Sequence, residues 1–246
     1  MARPDGPGRL PSSRSRCAVL IPALDARSTV GAVVRGALRH VSRVVVVDDG
    51  STDGTAETAA AAGAEVARHP RTRGKGAALR TGIDRLLAGP HLDAIITLDA
   101  DGQHDPDDIP RLLDRFDREA AAVVVGSRAA RFDGMTPARR AMNRFSSASL
   151  RFFAGIDLAD SQCGFRVYGS GFLAQHRLRG RRYEAEMEIL MQAAVAGRRV
   201  VSEPIEAPVA DGRATSHFRN WRDTWRIIGA VLGHRARRTR RWVQAG

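Results

Sequence analysis

The chain of 246 residues carries 39 Lys and Arg against 27 Asp and Glu, for a formal net charge of +12, with 43% hydrophobic and 5% aromatic residues. That length fills one sizeable core, and no apolar run approaches the roughly 20 residues a bilayer-spanning helix needs, so a transmembrane protein is not expected. Two widely separated cysteines, Cys17 and Cys163, argue against a disulfide framework or zinc knuckle; without a signal-peptide core the chain reads as cytoplasmic.

The charge sits at the ends. Residues 213–246 hold nine Arg and one Asp, and residues 1–16 hold four Arg and one Asp, leaving a nearly neutral body. Three regions follow: a basic extension over 1–16, a globular domain over 17–211 and a basic amphipathic segment over 212–246.

Along the body, Cys17 to Ile21 is a buried strand stopped by Pro22. Ser28 or Thr29 caps a helix whose apolar positions Val30, Val33, Val34, Ala37 and Leu38 keep helical spacing. Val44 to Val47 forms a second strand ending in Asp48-Asp49-Gly50, and Asp53 or Thr55 caps an Ala-rich helix stopping near Gly63. A short strand around Val66 precedes Gly74-Lys75-Gly76 and a helix with Leu79, Ile83, Leu86 and Leu87 on one face. Ala94 to Leu98 is a third strand ending in acid, followed by a helix over 107–118 and a strand at Val123 to Val125. The less regular second half holds helices from about Pro137 to Ala154 and from Glu184 to Ala196. Loop then strand span Asp160 to Tyr168, Glu203 to Pro208 is Pro-punctuated, and a final basic helix starts near Phe218. Alternating helices and uniformly apolar strands predict an α/β fold, a mostly parallel sheet covered on both faces.

Ligands of such sheets gather beyond the strand carboxyl ends. There the sequence places Asp99-Ala100-Asp101-Gly102-Gln103-His104-Asp105-Pro106. Two carboxylates one residue apart can face a hard divalent cation and leave room for phosphate oxygens, with Gln103 as a third ligand; His104 reads as a loop residue. Asp105, Asp107 and Asp108 suit an ordinary helix start. Asp48 and Asp49 can accept hydrogen bonds from a ribose or base, and Gly74-Lys75-Gly76 offers backbone N–H groups and a point charge to phosphate, although the spacing is not that of a Walker loop. Arg128, Arg131, Arg139, Arg140, Asn143 and Arg144 form a basic surface, either phosphate-binding or simply solvated.

These motifs, in this order, resemble family 2 glycosyltransferases: Ile-Pro-Ala-Leu-Asp, then Val-Asp-Asp-Gly-Ser-Thr-Asp-Gly-Thr, then Gly-Lys-Gly, then Asp-Ala-Asp-Gly-Gln-His-Asp-Pro. Within that family the chain is most similar to polyprenyl-phosphate (dolichyl-phosphate) mannose and glucose synthases, from about Ala18 to Arg219. The resemblance implies the GT-A fold, a UDP- or GDP-linked donor, a Mg or Mn ion and inversion at the anomeric carbon. It assigns Pro22, Ala23, Leu24, Val47, Asp49, Lys75, Asp99, Ala100, Asp101 and Arg128 to the nucleotide sugar, and Asp99, Asp101 and Gln103 to the metal. Arg128, Arg140, Asn143, Arg144, Gln162, Arg166, Ser216, His217 and Arg219 fall to the acceptor and its phosphate; Asp101, Asp160 and Glu186 are the catalytic candidates. Asp25-Ala26 stands where relatives often have Asn-Glu, which leaves uridine or guanosine open.

A polyprenyl phosphate is already mostly ionised near neutrality and needs little help from a base. A hydroxyl on a soluble or other glycolipid acceptor would need a carboxylate, Asp160 or Glu186. Phe218, Trp221, Trp225, Ile228 and Leu232 share one helical face among arginines, suited either to an anionic membrane surface or to the body of the protein. Peripheral attachment at the cytoplasmic face is the expectation. Nucleic acid is not expected as a partner, because the body is neutral and poor in aromatic platforms.

Overall fold

A computed structural model describes residues 16–128, 137–176, 178, 180 and 184–206. The basic helix expected from Phe218, the acceptor candidates Ser216, His217 and Arg219, and Arg131 lie outside the described residues.

Among the described residues, seven strands form one sheet: β1 (Cys17–Ala23), β2 (Arg43–Asp48), β3 (Glu65–Arg68), β4 (Ala94–Thr97), β5 (Val123–Ser127), β6 (Arg166–Gly169) and β7 (Val200–Pro204). Their order is β3-β2-β1-β4-β6-β5-β7. Only β6 runs against its neighbours, pairing antiparallel with both β4 and β5. The apolar runs read as strands form the core: Val19, Leu20, Ile21, Val45, Val46, Val47, Ile95, Ile96, Val123, Val124 and Val125 are all sealed from solvent. β-branched side chains fill both faces of a strand whose neighbours are parallel.

Seven α-helices accompany the sheet among the described residues: α1 (Arg27–Leu38), α2 (Thr55–Ala61), α3 (Lys75–Leu87), α4 (Ile109–Glu119, after a 3-10 turn at Pro106–Asp108), α5 (Pro137–Ala154), α6 (Ser170–Gln175) and α7 (Glu184–Val195). Helix α3 lies close on β1, and a Cβ on Gly82 would stand 2.1 Å from a Leu20 methyl. Only a residue without a side chain fits there.

The caps differ from expectation. Helix α1 begins at Arg27, and its first amides donate across to the next loop, Ala26 N to Thr55 Oγ1 and Arg27 N to Asp53 Oδ2. Thr29 does not cap; its hydroxyl donates to the Ala26 and Ala100 carbonyls. Helix α6 and strand β7 were not anticipated. The former has six residues, too few for a period, and the latter is a half-buried edge strand in which only Val200 and Val201 are apolar before the Pro-containing stretch.

The reversal of β6 decides where the site assembles. Loops that follow parallel strands leave from the carboxyl edge; for an antiparallel strand it is the preceding loop that lies there. The segment Asp160 to Phe165 therefore lies at the carboxyl edge of the parallel strands and meets the ends of β4 and β5.

Candidate active site

At the end of β2, Asp48 and Asp49 are buried at 0% and 4% exposure. Asp48 accepts from Ser51 N at 2.9 Å and so shapes its own turn. Asp49 reaches further: Oδ1 accepts from Arg73 N at 3.0 Å and meets His69 Nδ1 at 2.6 Å, and Oδ2 accepts from Gly74 N at 2.7 Å. His69 is buried, with its other nitrogen 3.0 Å from Thr81 Oγ1. One carboxylate thus sets the backbone that begins α3. The loop after β1 is joined to the same turn, with Asp25 N donating to Ser51 Oγ and Thr52 N to Asp25 Oδ1.

Helix α3 opens with Lys75, whose ammonium lies between two carboxylates, 2.7 Å from Asp99 Oδ1 and 3.1 Å from Glu186 Oε1. Burial favours the protonated form of Asp99, but Lys75 and His104 overcome it and hold the carboxyl well below the usual carboxylate range. Asp101 moves the other way, raised by burial and by the charge of Asp99. Its Oδ1 accepts from Gln103 N at 3.0 Å across a turn in which Gly102 has φ +74°. His104 is buried with Nε2 3.7 Å from Asp99 Oδ2. Burial would lower its imidazole, yet Cys163 and Asp99 outweigh that and carry it up to about 10.

Among the described residues, no group of three or more His, Cys, Asp and Glu side chains converges as a metal site. Asp99 and Asp101 nevertheless fit a divalent cation. They are hard oxygen donors whose mutual repulsion raises Asp101, and such a cation would relieve it.

The side of the site around Asp160 is built from the end of β5, from α5 and from the loop before β6. Asp160 is 1% exposed and receives five donors: Arg128 Nε at 2.7 Å, Arg128 Nη2 at 3.2 Å, Asn143 Nδ2 at 3.1 Å, and the backbone N–H groups of Arg128 and Gln162 at 3.3 Å each. Next to it, Ser161 Oγ lies 2.9 Å from Ser146 Oγ and 3.2 Å from Ser147 Oγ on α5. Gln162 Nε2 and Asn143 Oδ1 are buried there with no protein partner. An orphaned amide donor is costly unless a ligand or water meets it.

The structure corrects two assignments. Arg166 is 1% exposed and gives its guanidinium to three carbonyls, Cys163 at 2.7 Å, Glu186 at 2.8 Å and Ser161 at 2.9 Å, so it shapes the loop and cannot face a phosphate. Val47 is fully buried and paired on both sides, with Pro22 of β1 and Ala67 of β3, which leaves nothing for a nucleotide. The carbonyl of Ala100 accepts from Thr29 at 2.7 Å. Pro22 and Leu24 are half-buried at the end of β1, beside the buried Ala23. Arg140 is half-buried on α5 and Arg144 exposed.

Three contributors were not singled out by the sequence. His69 has no motif around it. His104 was read as a loop residue, yet it underlies Asp99. Gly164 packs so tightly that a Cβ would stand 2.3 Å from Asp99 Oδ2; the stretch from Asp160 to Arg166 resembles the family's acceptor-side segment, but nothing in it signals this contact.

Comparison with known proteins agrees with this fold. The family described as Glycosyl transferase family 2 matches residues 18–176. An undecaprenyl-phosphate mannosyltransferase of Micrococcus luteus is 31% identical over 67% of this chain and 71% of its own. A polyprenol monophosphomannose synthase of Mycolicibacterium smegmatis is 30% identical over 82% of each chain. Among solved structures, glucosyl-3-phosphoglycerate synthase of Mycobacterium tuberculosis, in complex with Mn2+, UDP and glucosyl-3-phosphoglycerate, superposes with a TM-score of 0.64 at 20% identity. That alignment covers 91% of this chain and 80% of the other.

Proposed function

The chain belongs to glycosyl transferase family 2, and we propose that it transfers a hexosyl group from a UDP- or GDP-linked donor to a polyprenyl phosphate. The observation that carries the acceptor class is Asp160. Its two oxygens offer about four lone-pair sites, and five donors point at them. A carboxylate so engaged has no site for a substrate proton, so it cannot be the base that a hydroxyl acceptor requires. A phosphate brings its own ionised oxygen. The names of the two mannosyl-transferring relatives support the same class.

In this reading Asp160 is a positioning residue that aims Arg128. Arg140, Arg144 and the orphaned Gln162 amide meet the acceptor phosphate. Asp49 holds the loop that cradles the donor diphosphate and faces the nucleoside. Asp99, Asp101 and Gln103 would hold a Mg or Mn ion, which supplies positive charge to the departing diphosphate. Lys75 neutralises Asp99 and Glu186 and stands ready for the diphosphate from the protein side. The acceptor oxygen attacks the anomeric carbon opposite the leaving diphosphate, a single displacement that inverts the centre. No helix among the described residues is long and apolar enough to cross a membrane, which suits an enzyme that meets its lipid from one side.

The test offers UDP- and GDP-hexoses with polyprenyl phosphate, with the same polyprenol lacking phosphate, and with 3-phosphoglycerate. Transfer to the first alone is expected. The Asp160→Asn variant should lose less than about tenfold in rate and keep the wild-type pH profile, whereas removal of a general base costs about 10²–10⁴. Transfer to polyprenol or phosphoglycerate with a lost basic limb would replace this reading with a hydroxyl acceptor.

A further inference from the structure

Asp49 is buried at the carboxyl end of β2, and the protein itself takes up most of its accepting capacity. A carboxylate offers about four lone-pair sites. Oδ1 meets Arg73 N and His69 Nδ1, and Oδ2 meets Gly74 N, which leaves one site on Oδ2 for a ligand. The contact with His69 comes from a side chain and is the shortest of the three, at 2.6 Å.

The carboxylate can only accept, so Nδ1 of His69 carries the hydrogen, while Nε2 faces Thr81 Oγ1 at 3.0 Å. His69 is itself held firmly. Its backbone N–H donates to the Asp48 carbonyl at 2.9 Å, one residue beyond the last β2–β3 pair, Asp48 with Arg68. These contacts close a circuit on α3. Gly74, which caps that helix, and Thr81 lie two turns apart on one side of it. Gly74 N donates to Asp49, Asp49 accepts from His69, and His69 reaches Thr81. The loop inside the circuit has no slack, since a Cβ on Gly50 would stand 2.7 Å from the backbone of Arg71. Residues 71–74 therefore rest on Gly50 and hang from Asp49, and Lys75 follows at once.

We propose that His69 is a positioning residue for the nucleotide-sugar donor: its Nδ1–H fixes the Asp49 carboxylate, and Asp49 fixes the Arg73 and Gly74 amides ahead of Lys75. Without that hydrogen the carboxylate can turn about its Cβ–Cγ bond. The last accepting site then no longer faces the nucleoside, and the turn before Lys75 loses its anchor. Residues that touch substrate are precise only when such contacts behind them lock their rotamers. The nucleoside contact is the same in the ground state and the transition state, so the loss falls on donor KM rather than on kcat. The inference rests on the donor reading above and adds to it the group that holds Asp49 in place.

The experiment compares His69→Asn with His69→Gln in the full chain. The Asn amide sets its N–H where Nδ1 stood, and the longer Gln amide sets it where Nε2 stood. The first keeps the donor to Asp49; the second keeps only the contact toward Thr81. UDP and GDP binding are followed by calorimetry, and donor KM and kcat by transfer. His69→Gln should weaken nucleotide binding and raise donor KM by about tenfold or more, as expected when a charged group loses a buried hydrogen bond, with kcat nearly unchanged. His69→Asn should restore binding and KM to near the wild-type values. If His69→Gln does not fold, Thr81→Val carries the test, because it removes only the far hydroxyl and should weaken nucleotide binding about threefold. Equal binding by the Asn and Gln variants, or unchanged binding in Thr81→Val, would overturn the positioning role and leave His69 a packing residue. A wild type that binds neither UDP nor GDP would bring down the donor reading and this inference together. Nucleotide binding without transfer to polyprenyl phosphate would remove the acceptor class alone, and the Asn–Gln difference in binding would still decide the role of His69.

Discussion

On the donor side, the loops after β1 and β2 and the start of α3 are held by short carboxylates that accept from backbone amides: Asp49 from Arg73 and Gly74, Asp53 from Arg27, Asp25 from Thr52. On the acceptor side, buried guanidinium groups do that work. Arg128 is locked to Asp160, and Arg166 gathers carbonyls from three places in the chain. The first arrangement closes loops 24–27 residues apart through backbone amides, which any side chain leaves in place. The second needs particular side chains from the end of β5, from α5 and from β6 to arrive together with a carbonyl of α7. The donor half is therefore tolerant of the side chains its amides carry, and the acceptor half is exacting.

Asp101→Ala tests the donor half at its chemical centre and carries the largest expected effect. Transfer should fall by about a thousandfold or more, since metal-borne charge stabilisation amounts to several kcal/mol. Mn2+ binding followed by electron spin resonance should weaken while circular dichroism stays unchanged, because Asp101 lies on a polar turn. Full activity in a chelator would remove Asp101 from the metal.

Arg166→Met probes the acceptor half through stability. Three carbonyls lose a charged donor in a sealed site, and a cost of about 3 kcal/mol or more is expected. Urea unfolding measures it. A loss under about 1 kcal/mol would mean the acceptor loop does not depend on that hub.

Gly164→Ala sets one half against the other. A Cβ would collide with the Asp99 carboxylate at 2.3 Å, so the acceptor loop or the metal ligand must shift. About a hundredfold loss in kcat is expected, as for other displacements near 1 Å, with a much smaller change in the thermal midpoint. Equal rates in variant and wild type would show that the two halves move freely past each other.

The smallest effect belongs to the donor half's outer edge, where Arg43 pairs with Glu65 at 2.7 Å between β2 and β3. The pairing holds the Glu65 carboxyl below its usual 4.5, with Arg43 as the main cause. Its stabilisation is complete above about pH 4.5 and fades as pH falls through the lowered value. Because Glu65 is 41% exposed, Arg43→Met should cost under about 1 kcal/mol at pH 7. The difference from wild type should shrink in acid; a constant difference would assign it to packing instead.

The same contrast explains what could be read in the sequence. Strands β1, β2, β4 and β5 announce themselves as apolar runs ending in Pro22, Asp48, Asp99 and Ser127, so the sheet and donor edge follow directly. The sequence puts Asp49, Asp99 and Asp101 just past strand ends and Lys75 at a helix start, and the structure has them there. Arg166 was not legible, because an arginine after Gly164-Phe165 looks the same whether it faces phosphate or carbonyls; burial alone decides. Asp160 was read as a possible base because nothing local shows that Arg128 and Asn143 would saturate it. His69 acts through one long-range contact and leaves no pattern. The antiparallel sense of β6 is hidden for a similar reason, since a four-residue strand carries no mark of its direction.

That reversed strand separates two kinds of evolutionary freedom. Since the acceptor loop enters before β6, its length can change between α5 and Asp160 without shifting the register of any donor strand. Gly155, at φ +68° with nothing within 4 Å of its missing Cβ, begins that stretch. Residues grafted there would reshape acceptor choice while Asp49, Asp99 and Asp101 keep their places. One nucleotide-sugar platform could in this way be paired with a succession of acceptors.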